Sequence, residues 1–496
     1  MHPRLLIPAC LAVLALLAGC FAGPPDGGGG DAAGQRLRVA LSFPPTQALS
    51  PYGDDALILT RLGVAEPLVA LDASGSPVPA LARSWTRVDD TTWRFTLEPG
   101  LTFHDGTPVT AAHTAAALTA ATQASPAPRA LRAVTVSATA EDDATLVVRT
   151  DAPDPVLPQR LSSPNLVILA PAAYGGPNPD PAGTGTGPFV LRSADSTGAT
   201  LDAFDGYRDG PPALAGIDAR FVPDAAALAG SLRAGEADVA AALPVAQAAQ
   251  LDAAELIEVP LPRDVFLHLN GSTGVFADPA MRAAARDAVD AQWRDELVAS
   301  VFESRADPAQ GIYGPASPWA AGRPAIERTR AGIPDGQQIR LATYSDRPEL
   351  PEVATAAAER LRAAGFTVTE TVREYSELEP DLLAGAFDAV VAARSYLLDT
   401  GDPAGFLASD VTCAGGYNLS RLCDPAVDAA VAAAQEPVDV AARREAALAA
   451  EAAVLRTDAL LPLVHERARI GVANGVTGVV EDPYERLLVD AGTRKR

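Results

Sequence analysis

The sequence predicts an α/β fold arranged in at least two lobes. Its 496 residues are too many for one simple hydrophobic core, because such cores stop growing at about 250–300 residues. Over residues 338–391, strand-like segments alternate with a helix-like segment: strands at 339–341, 366–368 and 387–391, and a helix at 352–363. Alternation of this kind predicts an α/β lobe.

The first third of the chain predicts short antiparallel strands and isolated helices. Residues 36–41 are predicted to form a strand because Leu37, Val39 and Leu41 alternate with other residues. The prolines that follow, beginning with Pro44, favour an irregular segment. The other elements predicted here are a helix over 54–68, strands over 92–97 and 101–103, a helix over 110–122, and a hairpin joining 134–136 to 146–148.

The second half carries clearer start signals. A strand over 265–269 ends at Asn270, and Asp278 followed by Pro279 is a well-matched beginning for a helix. One apolar face of that helix continues to Trp293. Alanine-rich helices over 425–434 and 440–455 follow, and then a strand over 461–465 leads to the C-terminal tail.

The N-terminus has the pattern of an export signal. Arg4 precedes an apolar run over residues 5–17, and Ala18-Gly19-Cys20 follows. The run is shorter than the roughly 20 apolar residues that a membrane span needs. Because the last residues resemble a bacterial lipobox, we expect a signal peptide over 1–19 and lipidation of Cys20; the alternative is an ordinary secretory signal with an incidental cysteine. A tether rich in Gly, Pro and Asp then covers 20–35, and the body is expected outside the cytoplasm, anchored to the outer face of the cell membrane.

The formal charge of -23 excludes some partners. A surface this negative repels phosphate backbones, so nucleic acid is not expected as a partner. The same charge favours cationic or zwitterionic solutes over anions.

Two cysteines remain in the body of the chain, Cys413 and Cys423, ten positions apart. In an oxidising compartment such a pair favours a disulfide that closes a small loop. A metal site is the alternative, although two thiolates with no nearby histidine make a poor zinc cage.

No catalytic constellation is evident, and no catalytic residue, metal site or cofactor is predicted. The sequence lacks a G-x-S-x-G elbow, an H-E-x-x-H helix and a C-x-x-C pair. The glycines over 183–188 do not fit a dinucleotide loop, because a loop precedes them and a strand follows. Outside the predicted signal peptide, the histidines are scattered over different elements: His104, His113, His268 and His465.

Several blocks of sequence nevertheless resemble one known family. They come in a fixed order and cover roughly residues 36–490. The blocks are Glu66-Pro-Leu68, Pro79-Ala-Leu-Ala-Arg-Ser-Trp85, Trp93-Arg-Phe95, Phe103-His-Asp-Gly-Thr-Pro-Val-Thr-Ala111, Gly185-Thr-Gly187-Pro-Phe189, Leu269-Asn270, Phe276-Ala-Asp278-Pro-Ala-Met-Arg282, Ala288-Val-Asp290, Asp402-Pro403 and Leu461-Pro-Leu463. Together they resemble the signature of family 5 extracellular solute-binding proteins, the peptide, dipeptide and nickel receptors of ABC importers.

The resemblance implies a two-lobe periplasmic-binding-protein-like fold (type II, class C), with a discontinuous first lobe, a two-strand hinge and a solute buried between the lobes. Hinge closure around the ligand would be the working motion. The implied parts are lobe I over 36–264, an inserted subdomain over about 55–175, lobe II over 265–470, a return to lobe I over 471–496, and crossing strands near 261–269 and 461–472.

The resemblance also implies a solute site. In peptide-binding members an aspartate shortly before a Pro-x-x-Phe-Leu motif meets the ligand's amino group, and Asp399 holds that place here. Tyr396 stands where a tryptophan is common, and Arg394 is near a family arginine, with a surface arginine as the alternative. Asp402 is expected to cap the turn before Pro403. Two weaker candidates, expected near the cleft, are Tyr52 and Asn270.

Two departures from the family pattern concern the ligand. Ala65-Glu66-Pro67 replaces the usual aromatic-Glu-Gly, and Ala112-His113 replaces a Glu/Asp-Asp pair.

The leading hypothesis from the resemblance is a non-enzymatic receptor, acting as a monomer, that delivers di- or oligopeptides to an ABC permease. The alternatives are a receptor for nickel chelates, sugars or other solutes, a surface lipoprotein with a signalling or chaperone role, and a secreted hydrolase.

Overall fold

The computed structural model describes residues 35–132, 134–176, 178–397 and 400–496. The predicted signal peptide, the predicted tether up to residue 34, including Cys20, and Asp399 lie outside the described residues. The described strands are β1 (Arg36–Leu41), β2 (Val69–Leu71), β3 (Pro77–Pro79), β4 (Ala82–Asp89), β5 (Thr92–Leu97), β6 (Val136–Ala140), β7 (Thr145–Thr150), β8 (Phe189–Ala194), β9 (Gly198–Ala203), β10 (Gly216–Phe221), β11 (Val239–Ala241), β12 (Leu256–Leu269), β13 (Ala306–Pro308), β14 (Gln338–Tyr344), β15 (Thr367–Arg373), β16 (Ala389–Ser395), β17 (Leu460–Val472), β18 (Val476–Thr477) and β19 (Arg494–Lys495). The described α-helices are α1 (Ala56–Arg61), α2 (Ala111–Gln123), α3 (Leu157–Arg160), α4 (Ala225–Arg233), α5 (Val245–Ala248), α6 (Pro279–Ala288), α7 (Ala291–Val301), α8 (Glu349–Ala363), α9 (Tyr375–Ala384), α10 (Pro403–Asp410), α11 (Pro425–Gln435) and α12 (Val440–Arg456).

Many of the longer helices begin at a side chain that accepts a backbone hydrogen bond from the first turn. At α6 the Asp278 Oδ1 accepts from Ala280 N at 2.9 Å, with Pro279 as the first helical residue. This confirms the start predicted from the sequence. Aspartates occupy the same place at α4, α7, α10, α11 and α12. Each cap satisfies a backbone donor that the helix itself leaves free.

One large sheet organises the molecule, in the order β15-β14-β16-β12-β17-β11-β1-β10-β9-β8, with β13 paired to β17. Its two central strands, β12 and β17, are 14 and 13 residues long and run antiparallel. Their pairing extends from Leu256 opposite Gly471 to His268 opposite Leu460, with a register shift between Pro260 and Asp264. These long strands contain the two crossing segments that the family resemblance implies.

The two ends of β12 and β17 belong to different hydrophobic clusters, which gives the molecule its two lobes. Val259 of β12 and Ile470 of β17 pack in a first-lobe core with β1 and β8 to β10. Leu267 and Leu463 pack instead in a second-lobe core with α6, α7, α8 and β14 to β16. The fold is thus mixed α/β with two lobes that share two continuous strands.

A smaller antiparallel sheet, in the order β4-β5-β7-β6, lies beside the first-lobe core. Helix α2 covers it, and the cluster between them buries Trp93, Phe95 and Phe103. The hairpin formed by β6 and β7 is the one predicted from the sequence, with pairs from Val136 opposite Thr150 to Ala140 opposite Leu146.

Three predicted elements differ from the structure. The helix predicted over 54–68 is confined to α1, and Gly63, with a φ of +64°, stands in the left-handed region just after it. Residues 101–103 form no strand, only an isolated bridge between Thr102 and Pro108. The apolar face that continues to Trp293 belongs to two helices, because Asp290 accepts from Trp293 N at 2.8 Å and begins α7 anew.

Candidate functional site

A cavity of 640 Å³ lies between two walls that come from distant parts of the chain. The first wall is formed by residues 129–160, beside the smaller sheet, and the second by residues 394–416 together with side chains from α11 and α12. The lining residues that carry charge are Arg129, Asp154, Arg160, Arg394, Asp402 and Arg443. A chamber enclosed from two sides in this way can surround a small molecule.

The first wall is fixed by a buried ion pair at α3. Arg160 Nε donates to Asp154 Oδ2 at 2.6 Å, and its Nη1 donates to the carbonyl of Ala130 at 2.6 Å. The backbone of Asp154 is held as well, because the indole N–H of Trp93 donates to its carbonyl at 3.2 Å. These contacts tie three separate segments of the wall together. Nearby Arg129 is more exposed and pairs with Asp54 at 3.4 Å.

The second wall is fixed by an ion pair between Asp402 and Arg443. The guanidinium donates to both carboxylate oxygens, at 2.7 Å and 2.6 Å, and both side chains are buried. Asp402 Oδ1 also accepts from Ala404 N at 3.2 Å and so begins α10. This confirms the expectation that Asp402 caps the turn before Pro403. A two-point Arg–carboxylate contact fixes orientation as well as distance.

Arg394 lies at the end of β16 and lines the cavity. Its Nε donates to Asp410 Oδ1 at 2.7 Å and its Nη2 to Asp410 Oδ2 at 3.2 Å. The guanidinium also lies 4.4 Å from the centre of the Tyr417 ring. The structure therefore places this predicted residue at the cavity.

Tyr396 also lines the cavity, although its side chain is almost fully buried. The hydroxyl accepts from Gly314 N at 3.2 Å and lies 3.3 Å from Ser317 Oγ. Its ring packs edge-on against Tyr313 and Phe406. Burial raises the pKa of the Tyr396 phenol well above its ordinary value. Tyr396 is thus a buried part of the second wall.

The other two candidates do not line this cavity. The Tyr52 side chain packs on the cluster beneath the smaller sheet, its hydroxyl has no hydrogen-bond partner among the described residues, and burial raises its pKa to about 12. Asn270 is directed to the backbone. Its Nδ2 donates to the carbonyls of Gly385 and Phe387, and its Oδ1 accepts from Ser272 N and Oγ. Asn270 therefore fastens the end of β12 to neighbouring loops.

The predicted cysteine pair lies beside the second wall. The sulfur atoms of Cys413 and Cys423 form a disulfide, and residues 414–416, which follow Cys413, line the cavity. The bridge closes the loop between α10 and α11 and so limits how far this part of the wall can move.

The crossing strands also bury a carboxyl next to an imidazole. His465 Nδ1 lies 2.6 Å from Asp264 Oδ1, and the other carboxylate oxygen, Oδ2, has no hydrogen-bond partner among the described residues. Burial raises the pKa of Asp264 to about 7, against the opposing effect of His465. On the same strand, burial and Arg394 lower the pKa of His268 to about 3, so this imidazole is neutral.

Two kinds of feature are not found in the described part of the chain. It contains no group of three or more His, Cys, Asp or Glu side chains positioned to hold a metal ion. None of its helices combines the length and the apolar character needed to cross a bilayer.

Sequence reasoning missed the residues that shape the walls, namely Asp154, Arg160 and Arg443. Asp402 and Arg443 are 41 positions apart, and no local pattern links them. Asp154 lies just before α3 and Arg160 is its last residue, so the two are close in the sequence. This short spacing is the local signal that could have indicated the pair.

The chain matches the family model of bacterial extracellular solute-binding proteins, family 5, over residues 76–418. It is 23% identical over 353 residues to the nickel-binding protein NikA of Staphylococcus aureus, an alignment that covers 68% of each chain. It is 28% identical over 332 residues to the glutathione-binding protein GsiB of Salmonella typhi, covering 62% of this chain and 63% of the relative. The alignment thus spans just under two thirds of that relative. These relatives are substrate-binding proteins, not enzymes.

Solved structures of similar fold cover almost the whole chain. The nickel ABC transporter structure from Bacillus halodurans matches with a TM-score of 0.79 at 24% identity, over 93% of this chain and all (100%) of that one. The periplasmic binding protein DppA of Helicobacter pylori, in complex with the peptide STSA, matches with a TM-score of 0.69 at 18% identity, over 93% and 98% of the two chains. At these identities the likeness establishes the fold.

Proposed function

The chain belongs to family 5 of the bacterial extracellular solute-binding proteins, the substrate-binding components of ABC importers, and we propose that it captures di- and oligopeptides for a permease. The observation that carries the proposal is the cavity of 640 Å³ between the two walls. Its volume falls within the range of about 300–1,000 Å³ that is typical of small-molecule sites.

The chemistry of the walls supports a solute with several polar groups. Four of the charged side chains that line the cavity are held in place by two buried pairs, Asp402 with Arg443 and Asp154 with Arg160, so these four do not need to be ordered when a solute enters. Closing a preformed cavity over a peptide would exclude water and strengthen each hydrogen bond between peptide and wall.

We propose that Asp399 binds the amino group of the peptide, as the family resemblance implies. Residues 394–397 and Thr400, its near neighbours in the sequence, line the cavity. A carboxylate facing an ammonium in a chamber of this kind forms a strong charge-assisted hydrogen bond. Tyr396 and Arg394 would then lie beside the first peptide unit.

The test is a thermal-shift screen of the protein against di- to pentapeptides and nickel chelates. A solute that binds only the folded state raises the melting temperature by mass action. We expect a shift with at least one peptide and its loss in Asp399→Asn, whereas Asp252→Asn, at an exposed position, keeps it. A shift with a nickel chelate and with no peptide would contradict the proposed ligand class and leave the family assignment intact.

Nickel chelates are the second candidate, because the NikA relative and the Bacillus halodurans structure are described as nickel proteins. A nickel chelate already contains the ligands of its metal, so its binding would depend less on Asp399. The two candidates are therefore separated by the same variant: Asp399→Asn abolishes peptide binding and leaves chelate binding largely unchanged.

The remaining expectations from the sequence are proposals too. We propose that Cys20 is lipidated after removal of residues 1–19, that the protein acts as a monomer on the outer face of the membrane, and that the lobes divide at about 264 and 470. Mass spectrometry of the protein purified from membranes tests the first point: an N-terminal peptide beginning at an unmodified residue other than Cys20 would contradict it.

A further inference from the structure

The hairpin formed by β2 and β3 contacts helix α12 of the second lobe through the turn that joins its two strands. At its tip, Arg444 Nη2 donates to the Ser74 carbonyl at 2.7 Å. The same nitrogen lies 3.0 Å from both Ser74 Oγ and Ser76 Oγ. The Arg444 guanidinium of the second lobe thus contacts three oxygen atoms of this first-lobe turn.

The turn is preorganised for this contact. Asp72 Oδ1 accepts from Ser74 N at 2.8 Å, from Ser74 Oγ at 2.7 Å and from Ser76 N at 3.0 Å. Gly75 has a φ of +86°, which favours glycine, and a Cβ there would lie 2.8 Å from the Tyr484 hydroxyl. The serine oxygens are therefore fixed before Arg444 meets them.

Apolar contacts accompany the hydrogen bonds. Leu71 packs on the second-lobe cluster that contains Tyr396 and Phe406. A Cβ at Gly401 would lie 2.6 Å from Leu71 Cδ1, so the absence of a side chain at Gly401 makes room for the hairpin. The Arg444 guanidinium also lies 5.8 Å from the centre of the Trp319 ring.

This contact is linked to the solute cavity through two neighbouring residues. Arg443, next to Arg444 on α12, holds Asp402, which lines the cavity. Gly401, against which Leu71 packs, directly precedes Asp402. With the lobe boundaries proposed above, the hairpin belongs to lobe I and Arg444 to lobe II, so a movement that separates these two elements has to break the contact.

We propose that the turn Asp72–Ser76, Gly401 and Arg444 form an interlobe clasp, which favours the closed arrangement and slows the release of the solute. Arg444 is a positioning residue that need not touch the solute. The effect on release rests on the proposed function, whereas the effect on closure does not require a known solute. A contact made only in the closed form shifts the population toward it by its own free energy.

The test compares Arg444→Gln with Arg456→Gln, an exposed arginine on the same helix for which the described residues show no ion pair. Small-angle X-ray scattering of the solute-free proteins reports closure as the radius of gyration. We expect Arg444→Gln to have a larger radius than both the wild type and Arg456→Gln. Urea unfolding of the solute-free variants separates this effect from a general loss of stability, because loss of the clasp alone lowers the free energy of unfolding by no more than the clasp contributes to closure.

Stopped-flow release of the peptide with the largest thermal shift is the second readout. We expect Arg444→Gln to release it roughly 5- to 30-fold faster with an unchanged association rate, in the range usual for conformational coupling. The pair Ser74→Ala with Ser76→Ala should show a smaller effect in the same direction, because the Ser74 carbonyl remains. Unchanged scattering of solute-free Arg444→Gln overturns the clasp. If no peptide binds, the proposed ligand class fails, while scattering still decides the clasp.

Discussion

At the scale of single residues, the buried pair of Asp264 and His465 is the feature with the clearest consequence for solution behaviour. It lies on the two strands that connect the lobes, next to the register shift in β12. Glu466 and Glu451 add negative charge around Asp264, and burial raises the Asp264 pKa to about 7. A carboxyl of this kind holds its proton in the folded protein at a pH where the unfolded chain has lost it.

The sign of the pH dependence follows from this shift. Between about pH 4 and pH 7 the folded state binds the Asp264 proton more strongly than the unfolded state, so this contribution to stability is present at low pH and is lost as the pH rises. In Asp264→Asn the contribution is removed. We therefore expect the stability of Asp264→Asn relative to wild type to increase by about 1.4 kcal/mol per pH unit across that window.

Urea unfolding at several pH values measures this difference. Val265→Ala, a buried and non-titrating change on the same strand, serves as the control and should lower stability equally at every pH. A difference between Asp264→Asn and wild type that stays constant from pH 4 to pH 7 would contradict the assignment.

Single residues also show where sequence reasoning succeeded. Asp278 was predicted as a helix cap and Asp402 as a residue that caps or turns the loop before Pro403, and both cap a helix, because a cap depends only on its immediate neighbours. Arg443 could not be predicted as the partner of Asp402, because that contact depends on how α12 packs against α10. The position of Asn270 at a strand end could be predicted from its neighbours in the sequence. Its hydrogen bonds to the carbonyls of Gly385 and Phe387 could not, because they join distant parts of the chain.

At the scale of elements, the loop between α10 and α11 is the part of the second wall that depends on a covalent bond. Cys413 and Cys423 close a loop of ten positions, and Gly415 and Gly416 of that loop line the cavity. At Ala414, Gly415 and Gly416 no side chain is long enough to fix the position of this segment against the rest of the wall.

We expect reduction of this disulfide to lower the stability of the protein by about 2–3 kcal/mol, the chain-entropy value for a loop of roughly this size. It should also weaken solute binding, because part of the wall loses its constraint. Thermal unfolding with and without reductant measures the first effect. The double variant Cys413→Ser with Cys423→Ser should match the reduced wild type and be insensitive to reductant; a melting temperature equal to that of the oxidised protein would contradict this role.

Elements whose pattern is local were predicted well, whereas the division of a longer apolar face into separate helices was not. Alternation identified β1 and β5, and alanine-rich periodicity identified α11 and α12. The division of one apolar face into α6 and α7 arises because Asp290 competes for the backbone of the next turn, an effect that periodicity does not register.

At the scale of the whole molecule, the order of strands in the large sheet brings residues from opposite ends of the chain together. Strand β1 lies between β10 and β11, and β12 pairs with β17 about two hundred positions later. Strand alternation predicted an α/β lobe and the family resemblance implied two crossing strands, but neither predicted this order. The cavity lies between two such distant segments, which is why its lining was only partly predicted.

Peptide binding in the cavity between the walls is tested most directly by calorimetric titration of variants with the peptide that gives the largest thermal shift. Ala408 lines the cavity on α10, and Ala429 is exposed on α11. We expect Ala408→Trp to abolish binding by filling the cavity, and Ala429→Trp to bind as the wild type does. Binding by Ala408→Trp with unchanged affinity, or no heat from any peptide with the wild type, would contradict peptide binding in this cavity.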